Sequence, residues 1–302
     1  ETFFCPGALS LGSAKFHCWK RGGHGTMNMH NGLKKSCDVY FYNLALKVGL
    51  ERIRAMALRL GLGNTVGIDL PHERPGLIPS DEWKRKNIGE KWYPGETVVA
   101  GIGQGYVLTT PLQLAVMTSR LVNGGKAVTP RLVRAITEPE QPEKPKASLA
   151  RLNKAGRVAD PKFGTVGIAP KSLKRVIKGL VAVVNEPGGT AGRSKITEKG
   201  MAMGGKTGTS QVRRITRAER ATGIIKNKDL PWNRRDHSLF IGFAPVDNPR
   251  YAVAVVVEHG GSGSKAAAPA ARDIMREAQT RKSADLRRPG TDPEKTTGPS
   301  SH

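Results

Sequence analysis

Gly204-Gly205-Lys206-Thr207-Gly208-Thr209-Ser210 is the stretch on which the fold turns. Its residue types suit an edge strand that lines a cleft. Strand alternation sends Lys206 and Gly208 to one side and Thr207 and Thr209 to the other, unless the edge twists. Gly208 lets a substrate backbone approach with no Cβ in the way. The Lys206 ammonium raises the local positive potential and draws a neighbouring hydroxyl or amine toward its deprotonated form. Thr209 offers a hydroxyl to a substrate carboxylate and a backbone N–H to an oxyanion.

Far upstream stands Ser36-Cys37-Asp38. Lys-Thr-Gly and Ser-x-Asn, here written with Asp, are two of three signatures of penicillin-interacting serine acyltransferases. Ser36 is a hydroxyl suited to relaying a proton between a nucleophile and a leaving amine. Alone it reads more readily as a helix N-cap; only the pairing with Lys206-Thr207-Gly208-Thr209 turns it into the relay. Gly200 to Thr207 also matches the phosphate-binding pattern G-x-x-x-x-G-K-[S/T] in full. The polar run Arg193–Lys199 before it is no buried strand, and Gly208 weakens the helix that should hold phosphate.

The spacing predicts a helix pair or a broken helix from Leu33 to Gly49, with Ser36 and Asp38 at the N-cap, then a helix through Ile53 and Leu60 ending at Gly61. Gly101–Gly105 reads as a glycine-rich turn. Thr110-Pro111 opens a helix that stops at Gly124-Gly125. Apolar residues from Leu173 to Val184 repeat at helical spacing up to Gly188-Gly189. Ser238–Phe243 and Tyr251–Val257 predict a hairpin across Asp247-Asn248-Pro249-Arg250, followed by a helix from about Ala266 to Thr280. The segment 138–160 is expected to be an exposed excursion within the domain 1–280, and 281–302 a disordered tail. Helices first, then antiparallel strands and a last helix, imply an α+β protein.

A net charge of +24 invites nucleic acid as a partner, but the basic residues are dispersed and aromatics are only 5% of the chain, too few for stacking platforms. A basic surface facing an anionic wall or membrane is the better reading, and no nucleic acid is expected. No apolar run approaches the roughly 20 residues that span a bilayer. Glu1 opens the chain without Met, which reads as a piece truncated at its N-terminus.

All three cysteines lie within the first 37 residues. Cys5, Cys18, His24 and Cys37 give C-x12-C-x5-H-x12-C, and three thiolates with one imidazole form a closed tetrahedral set for structural zinc. His17 and His30 are rival imidazoles. A Cys5–Cys18 disulfide beside a buried Cys37 is the competing arrangement. The Gly- and Lys-rich segment between the cysteines offers little apolar material to hold itself down. A metal there would brace the Ser36–Asp38 turn.

With both motifs in place, others follow in order: Gly22-Gly23-His24-Gly25, Gly67-Ile68-Asp69-Leu70-Pro71, Gly101-Ile102-Gly103-Gln104-Gly105, Thr109-Thr110-Pro111, Gly188-Gly189-Thr190-Ala191 and Phe243-Ala244-Pro245. The series resembles the transpeptidase domain of the class B penicillin-binding proteins, most closely their cell-elongation branch. That resemblance implies the serine β-lactamase-like fold, an antiparallel sheet flanked by helices, here incomplete at the N-terminus. It implies a serine D,D-transpeptidase that cross-links peptidoglycan stem peptides, is acylated by β-lactams and needs no cofactor for catalysis. It also implies a place on the periplasmic face of the inner membrane among elongation-complex proteins, a glycan polymerase included. Carried over, the catalytic residues are Ser36, Asp38, Lys206 and Thr209, with Thr207, Gly208 and Thr209 binding substrate. A β-lactamase or β-lactam sensor of the same fold, or a non-catalytic scaffold, are the alternatives.

The chain departs from the family at the nucleophile. Only Ser262 has a lysine three residues on, Lys265, and it sits among glycines near the end of the domain. The Ser-x-x-Lys box is expected upstream of Glu1, and this chain alone is expected to be inactive.

Overall fold

The computed structural model describes residues 1–132, 163–213 and 215–281. The excursion expected at 138–160 and the tail beyond residue 281 lie outside them.

The first 28 residues form four short strands. β1 (Thr2–Cys5) pairs antiparallel with β4 (Gly25–Asn28), and β2 (Ala8–Leu11) with β3 (Ala14–His17). These strands escape sequence reading because each is four residues long and broken by Gly and Lys. They are also better anchored than composition suggests. Phe3, Leu9, Leu11, Phe16 and Met27 pack against Val39, Tyr40, Tyr42 and Val98, so the segment carries its own apolar cluster. Phe3 meets Tyr40 edge-on at 5.5 Å.

The helix pair exists, with its break displaced. α1 (Met29–Lys35) is capped by Asn28 and ends on Ser36, and α2 (Asp38–Val48) begins after Cys37. Ser36 is therefore no N-cap. It closes α1 in the left-handed region, at φ 50°, where only a few per cent of non-glycine residues are found. α3 (Leu50–Leu60) ends at Gly61 as expected. Two helices went unpredicted, α4 (Asp81–Ile88) and α5 (Pro94–Ala100), both short and both among charged or β-branched residues. α6 (Pro111–Val122) starts with Thr110 accepting from the Gln113 N–H, and α7 (Pro170–Asn185) runs to the loop carrying Gly188-Gly189.

β5 (Gly204–Ser210) is followed by the small helix α8 (Arg217–Thr222), then by the predicted strands β6 (His237–Ala244) and β7 (Tyr251–Val257) and by α9 (Ala267–Thr280). The three strands form an antiparallel sheet in the order β5-β6-β7, which leaves β5 at an edge among the described residues. α7 and α9 pack on it through Val183, Val184, Ala267, Ala268, Ala271 and Met275, around Phe240 and Met203. Burying a side chain of this size contributes roughly 1.5–3 kcal/mol. Gly204 and Gly205 admit that packing: a Cβ on Gly204 would lie 2.6 Å from the Phe243 ring, and one on Gly205 2.3 Å from the Ile241 carbonyl oxygen. The motif strand is thereby pressed against its neighbour. A strand, not a helix start, carries Lys206-Thr207, and the phosphate-loop alternative ends there. Among the described residues no helix is long and apolar enough to cross a membrane.

Candidate active site

β5 lines one wall of a cleft of about 1200 Å³. Ser36, Asp38, Thr190, Lys206, Thr207, Gly208, Thr209 and Gln104 all face it. Sequence positions up to 173 apart are thus brought to one opening, and every catalytic and substrate-binding candidate read from the sequence is among them. Strict alternation along β5 is not what the cleft sees. Because the strand is at an edge, Lys206 and Thr207 both reach it from opposite faces.

The Lys206 Nζ donates to Ser36 Oγ at 2.5 Å and to the Thr207 carbonyl at 2.8 Å. Burial lowers the Lys206 ammonium from 10.5 to about 8, while the Asp38 carboxylate opposes that fall. At neutral pH Lys206 is still mostly charged, so it donates to Ser36 and leaves the serine's own proton to point elsewhere. Thr190 Oγ1 lies 3.4 Å from Ser36 Oγ and 2.9 Å from Thr207 Oγ1. Ammonium and three hydroxyls form one continuous ladder from α1 to β5.

Thr209 is exposed at the cleft. Its carbonyl accepts from Gln104 Nε2 at 2.7 Å, which places that carbonyl on the unpaired side of β5. A strand residue directs its N–H and C=O to the same side, so the Thr209 N–H also faces the cleft. Gly263 closes the rear, since a Cβ there would lie 2.4 Å from the carbonyl oxygens of Gly208 and Leu239. Ser262 Oγ bonds Ser264 Oγ at 2.8 Å while Lys265 is exposed, so Ser262 and Lys265 do not form a nucleophile pair.

Asp38 braces more than it titrates. Its Oδ2 accepts the Trp19 N–H at 2.8 Å, and burial pushes the carboxyl up to about 7 against that bond. The Trp19 indole N–H is shared between the carbonyls of Ser36 at 2.8 Å and Lys35 at 3.1 Å. Three bonds from one residue pin the left-handed turn that presents Ser36. Trp19, Thr190 and Gln104 went unassigned in the sequence reading. Thr190 and Gln104 lie inside glycine motifs that were visible there, whereas nothing in the sequence marks Trp19.

Beside Trp19 the Cys5, Cys18 and Cys37 sulfurs and a ring nitrogen of His24 lie within 4.8 Å of one another. His24 Nδ1 is 3.5 Å from Cys18 Sγ and 3.7 Å from Cys5 Sγ. Tetrahedral zinc, with Zn–S near ~2.3 Å and Zn–N near ~2.0 Å, holds such atoms about 3.5 Å apart. The cysteines are buried and free, with no disulfide among them. The Cys37 thiol and the backbone N–H groups of Lys20, Val39 and Asp38 pull Cys18 down to about 4, and Cys18 in turn pushes Cys37 up. Of the rival imidazoles, His30 pairs with Glu186 at 3.0 Å, and His17 receives the Tyr42 hydroxyl on its carbonyl.

Residues 1–276 match the family described as Transpeptidase, penicillin binding protein transpeptidase domain. The chain is 35% identical over 278 residues to the peptidoglycan D,D-transpeptidase MrdA of Haemophilus influenzae, covering 91% of this chain and 40% of that protein. It is 34% identical over 279 residues to MrdA of Escherichia coli K12, with 91% and 40% covered. The Pseudomonas aeruginosa PBP2 in complex with WCK 5153 superposes with a TM-score of 0.74 at 36% identity, covering 93% of this chain and 56% of that one. The complex of PBP2 and MreC from Helicobacter pylori gives 0.74 at 29% identity, with 92% and 45% covered. The chain spans about 40% of the length of the curated relatives it matches.

Proposed function

From the premise that the chain belongs to the penicillin-binding protein transpeptidase family, we propose that it is the larger part of a D,D-transpeptidase domain acting on peptidoglycan stem peptides in cell elongation. The observation that carries this is the junction of Lys206 Nζ with Ser36 Oγ, which joins the two signatures into one proton network facing a cleft. A serine hydroxyl attacks the penultimate D-alanine carbonyl, and the oxyanion forms opposite the Thr209 N–H. The proton that the attacking hydroxyl loses is relayed through Ser36 to the departing D-alanine amine, with the Lys206 ammonium keeping Ser36 acidic. The acyl group then passes to an amine of a neighbouring stem, which gives up its proton along the same path. Thr207 and Thr209 hold the terminal carboxylate. β-Lactams enter by the same route.

The attacking serine belongs to a Ser-x-x-Lys box outside these 302 residues, and the chain alone is inactive on this reading. Labelled penicillin, applied side by side to this chain and to the protein extended upstream through its Ser-x-x-Lys, tests it. Label on the extended protein alone is the expected result. Label on this chain, or on neither, overturns the reading.

Cys5, Cys18, His24 and Cys37 hold a structural zinc that stiffens the segment bearing Trp19 and so the Ser36 turn. Their convergence and the thiolate-favouring surroundings of Cys18 support this. Metal analysis of purified protein should find about one zinc per chain, and less than about 0.2 removes the assignment. The parent protein works at the periplasmic face of the inner membrane with elongation partners. In the Helicobacter pylori relative the partner is MreC, and another neighbour comes from a synthase complex coordinating polymerisation and cross-linking, which supports a glycan polymerase as a second partner.

A further inference from the structure

Thr190 belongs to neither Ser36-Cys37-Asp38 nor Lys206-Thr207-Gly208, yet it is the rung between them. Its loop is fixed from three directions. The Thr190 N–H donates to the Lys34 carbonyl at 3.2 Å, and the Ala191 N–H to the Val183 carbonyl at 3.0 Å. Glu186, where α7 ends, takes Lys34 Nζ and His30 Nε2 at 3.0 Å each. Gly189 lets the chain pass close to the helix end, since a Cβ there would lie 2.4 Å from the Val183 carbonyl oxygen. A side chain in an ordinary loop is not held this way, and the hydroxyl so held points at two others.

The first member of the ladder has a fixed direction and leaves one order of donors open from end to end. An ammonium has only protons to give, so Lys206 Nζ donates to Ser36 Oγ. The Ser36 proton is then free for Thr190 Oγ1, and the Thr190 proton for Thr207 Oγ1. In that order Thr207 accepts from Thr190 and has its own proton left for the cleft. We propose that Thr190 is a positioning residue that sets this polarity, so that Thr207 presents a donor to the terminal carboxylate of the stem peptide or β-lactam. The inference rests on the transpeptidase reading of the site. It adds a specificity determinant: without Thr190 the Thr207 hydroxyl loses the donor that fixes its rotor, and anionic ligands lose their advantage over neutral ones.

The test compares wild type, Thr190→Val and Thr190→Ser in the protein that includes its Ser-x-x-Lys box. Each is acylated with a thioester substrate analogue bearing a free terminal carboxylate and with the same analogue as a carboxamide. Valine keeps the shape of threonine and removes the hydroxyl. A hydrogen bond to a charged group is worth enough to lower the second-order rate for the carboxylate analogue about tenfold or more. The effect should appear mainly in KM, the carboxamide should be nearly unaffected, and serine should restore the rate. Equal losses on both analogues, no loss, or no rescue by serine overturn the assignment. Failure of the wild type itself to be acylated overturns the transpeptidase reading, and this inference with it.

Discussion

Replacing Lys206 by methionine removes the ammonium and keeps much of the side chain's bulk, and its effect on stability should change sign with pH. Burial lowers the folded-state value of this group from 10.5 to about 8. Between those two values the unfolded chain holds a proton that the folded chain does not, so the wild type gains stability as pH rises through that window. Below about pH 8 both states are protonated and the folded state carries the whole desolvation penalty, about 3 kcal/mol. Methionine removes that penalty and also the bonds to Ser36 Oγ and the Thr207 carbonyl, worth about 1 kcal/mol each. The variant should therefore be about 1 kcal/mol more stable than wild type at pH 7 and about 2 kcal/mol less stable near pH 10.5. For a domain of this size 1 kcal/mol moves Tm by about 2–4 °C. Parallel thermal melts from pH 7 to 10.5 should show the Tm difference crossing zero and moving by about 6–12 °C in all. Because it is a difference between two proteins, groups remote from Lys206 cancel; Asp38, whose charged form Lys206 favours, does not, and its contribution is confined to the low-pH end of the scan. A gap that stays constant across the window would refute the reasoning, since Lys206 would then be as well solvated when folded as when unfolded.

Ser238 is fully buried, donates to the Ser262 carbonyl and accepts from the Ala267 N–H, both at 3.0 Å, so it locks the loop bearing Gly263 behind the motif strand. Ser238→Ala strands the buried Ala267 N–H, while the Ser262 carbonyl keeps the Lys265 and Ala266 N–H groups; it should cost about 1–3 kcal/mol, read as a fall in Tm of roughly 3–10 °C, and a fall under about 1 °C would contradict it. Gln104 occupies the Thr209 carbonyl that an extended ligand's N–H would need, so Gln104→Leu should raise the second-order acylation rate, by up to about fivefold for a bond of about 1 kcal/mol. Slower acylation would instead make Gln104 a substrate contact. Trp19→Phe keeps an aromatic ring against His24 but removes the indole bonds to Ser36 and Lys35. Zinc content should stay unchanged by mass spectrometry while acylation falls about tenfold; equal acylation would show that Ser36 holds its conformation unaided.

What was legible in the sequence was what chemistry requires in a contiguous run. Lys206-Thr207-Gly208-Thr209 must be a strand with an open edge, and it is; Thr110-Pro111 must begin a helix, and it does. The hairpin from Ser238 to Val257 was equally plain, because its apolar runs are long and its turn residues distinct. What escaped was short or conditional. The four N-terminal strands owe their existence to packing against Tyr40 and Tyr42, which no local pattern announces. Ser36 was misread as the start of a helix because a serine before an apolar run looks the same whether it opens one helix or closes another. Only its backbone angle and the Trp19 bonds distinguish the two.

Those bonds also explain why the cysteine cluster and the Ser36 turn share one stretch of chain. A serine at φ 50° stores of order 1–3 kcal/mol, and it persists only where its surroundings over-determine it. Cys37 follows Ser36 directly and Trp19 follows Cys18, so two of the four converging side chains are one bond from the residues that hold the turn. A bound metal would fix Cys18 relative to Cys37, and thereby Trp19 relative to Ser36 and Asp38, without touching substrate. On the opposite side Glu186, with His30 and Lys34, fixes the Thr190 loop against the same helix α1. Helix α1 is thus clamped at both flanks, and Ser36 at its end is presented between them. The hydroxyl ladder depends on contacts of 2.5, 3.4 and 2.9 Å that side-chain freedom alone would not maintain. In this site the reactive groups are few and short, and most of the surrounding sequence serves to keep them within reach of one another.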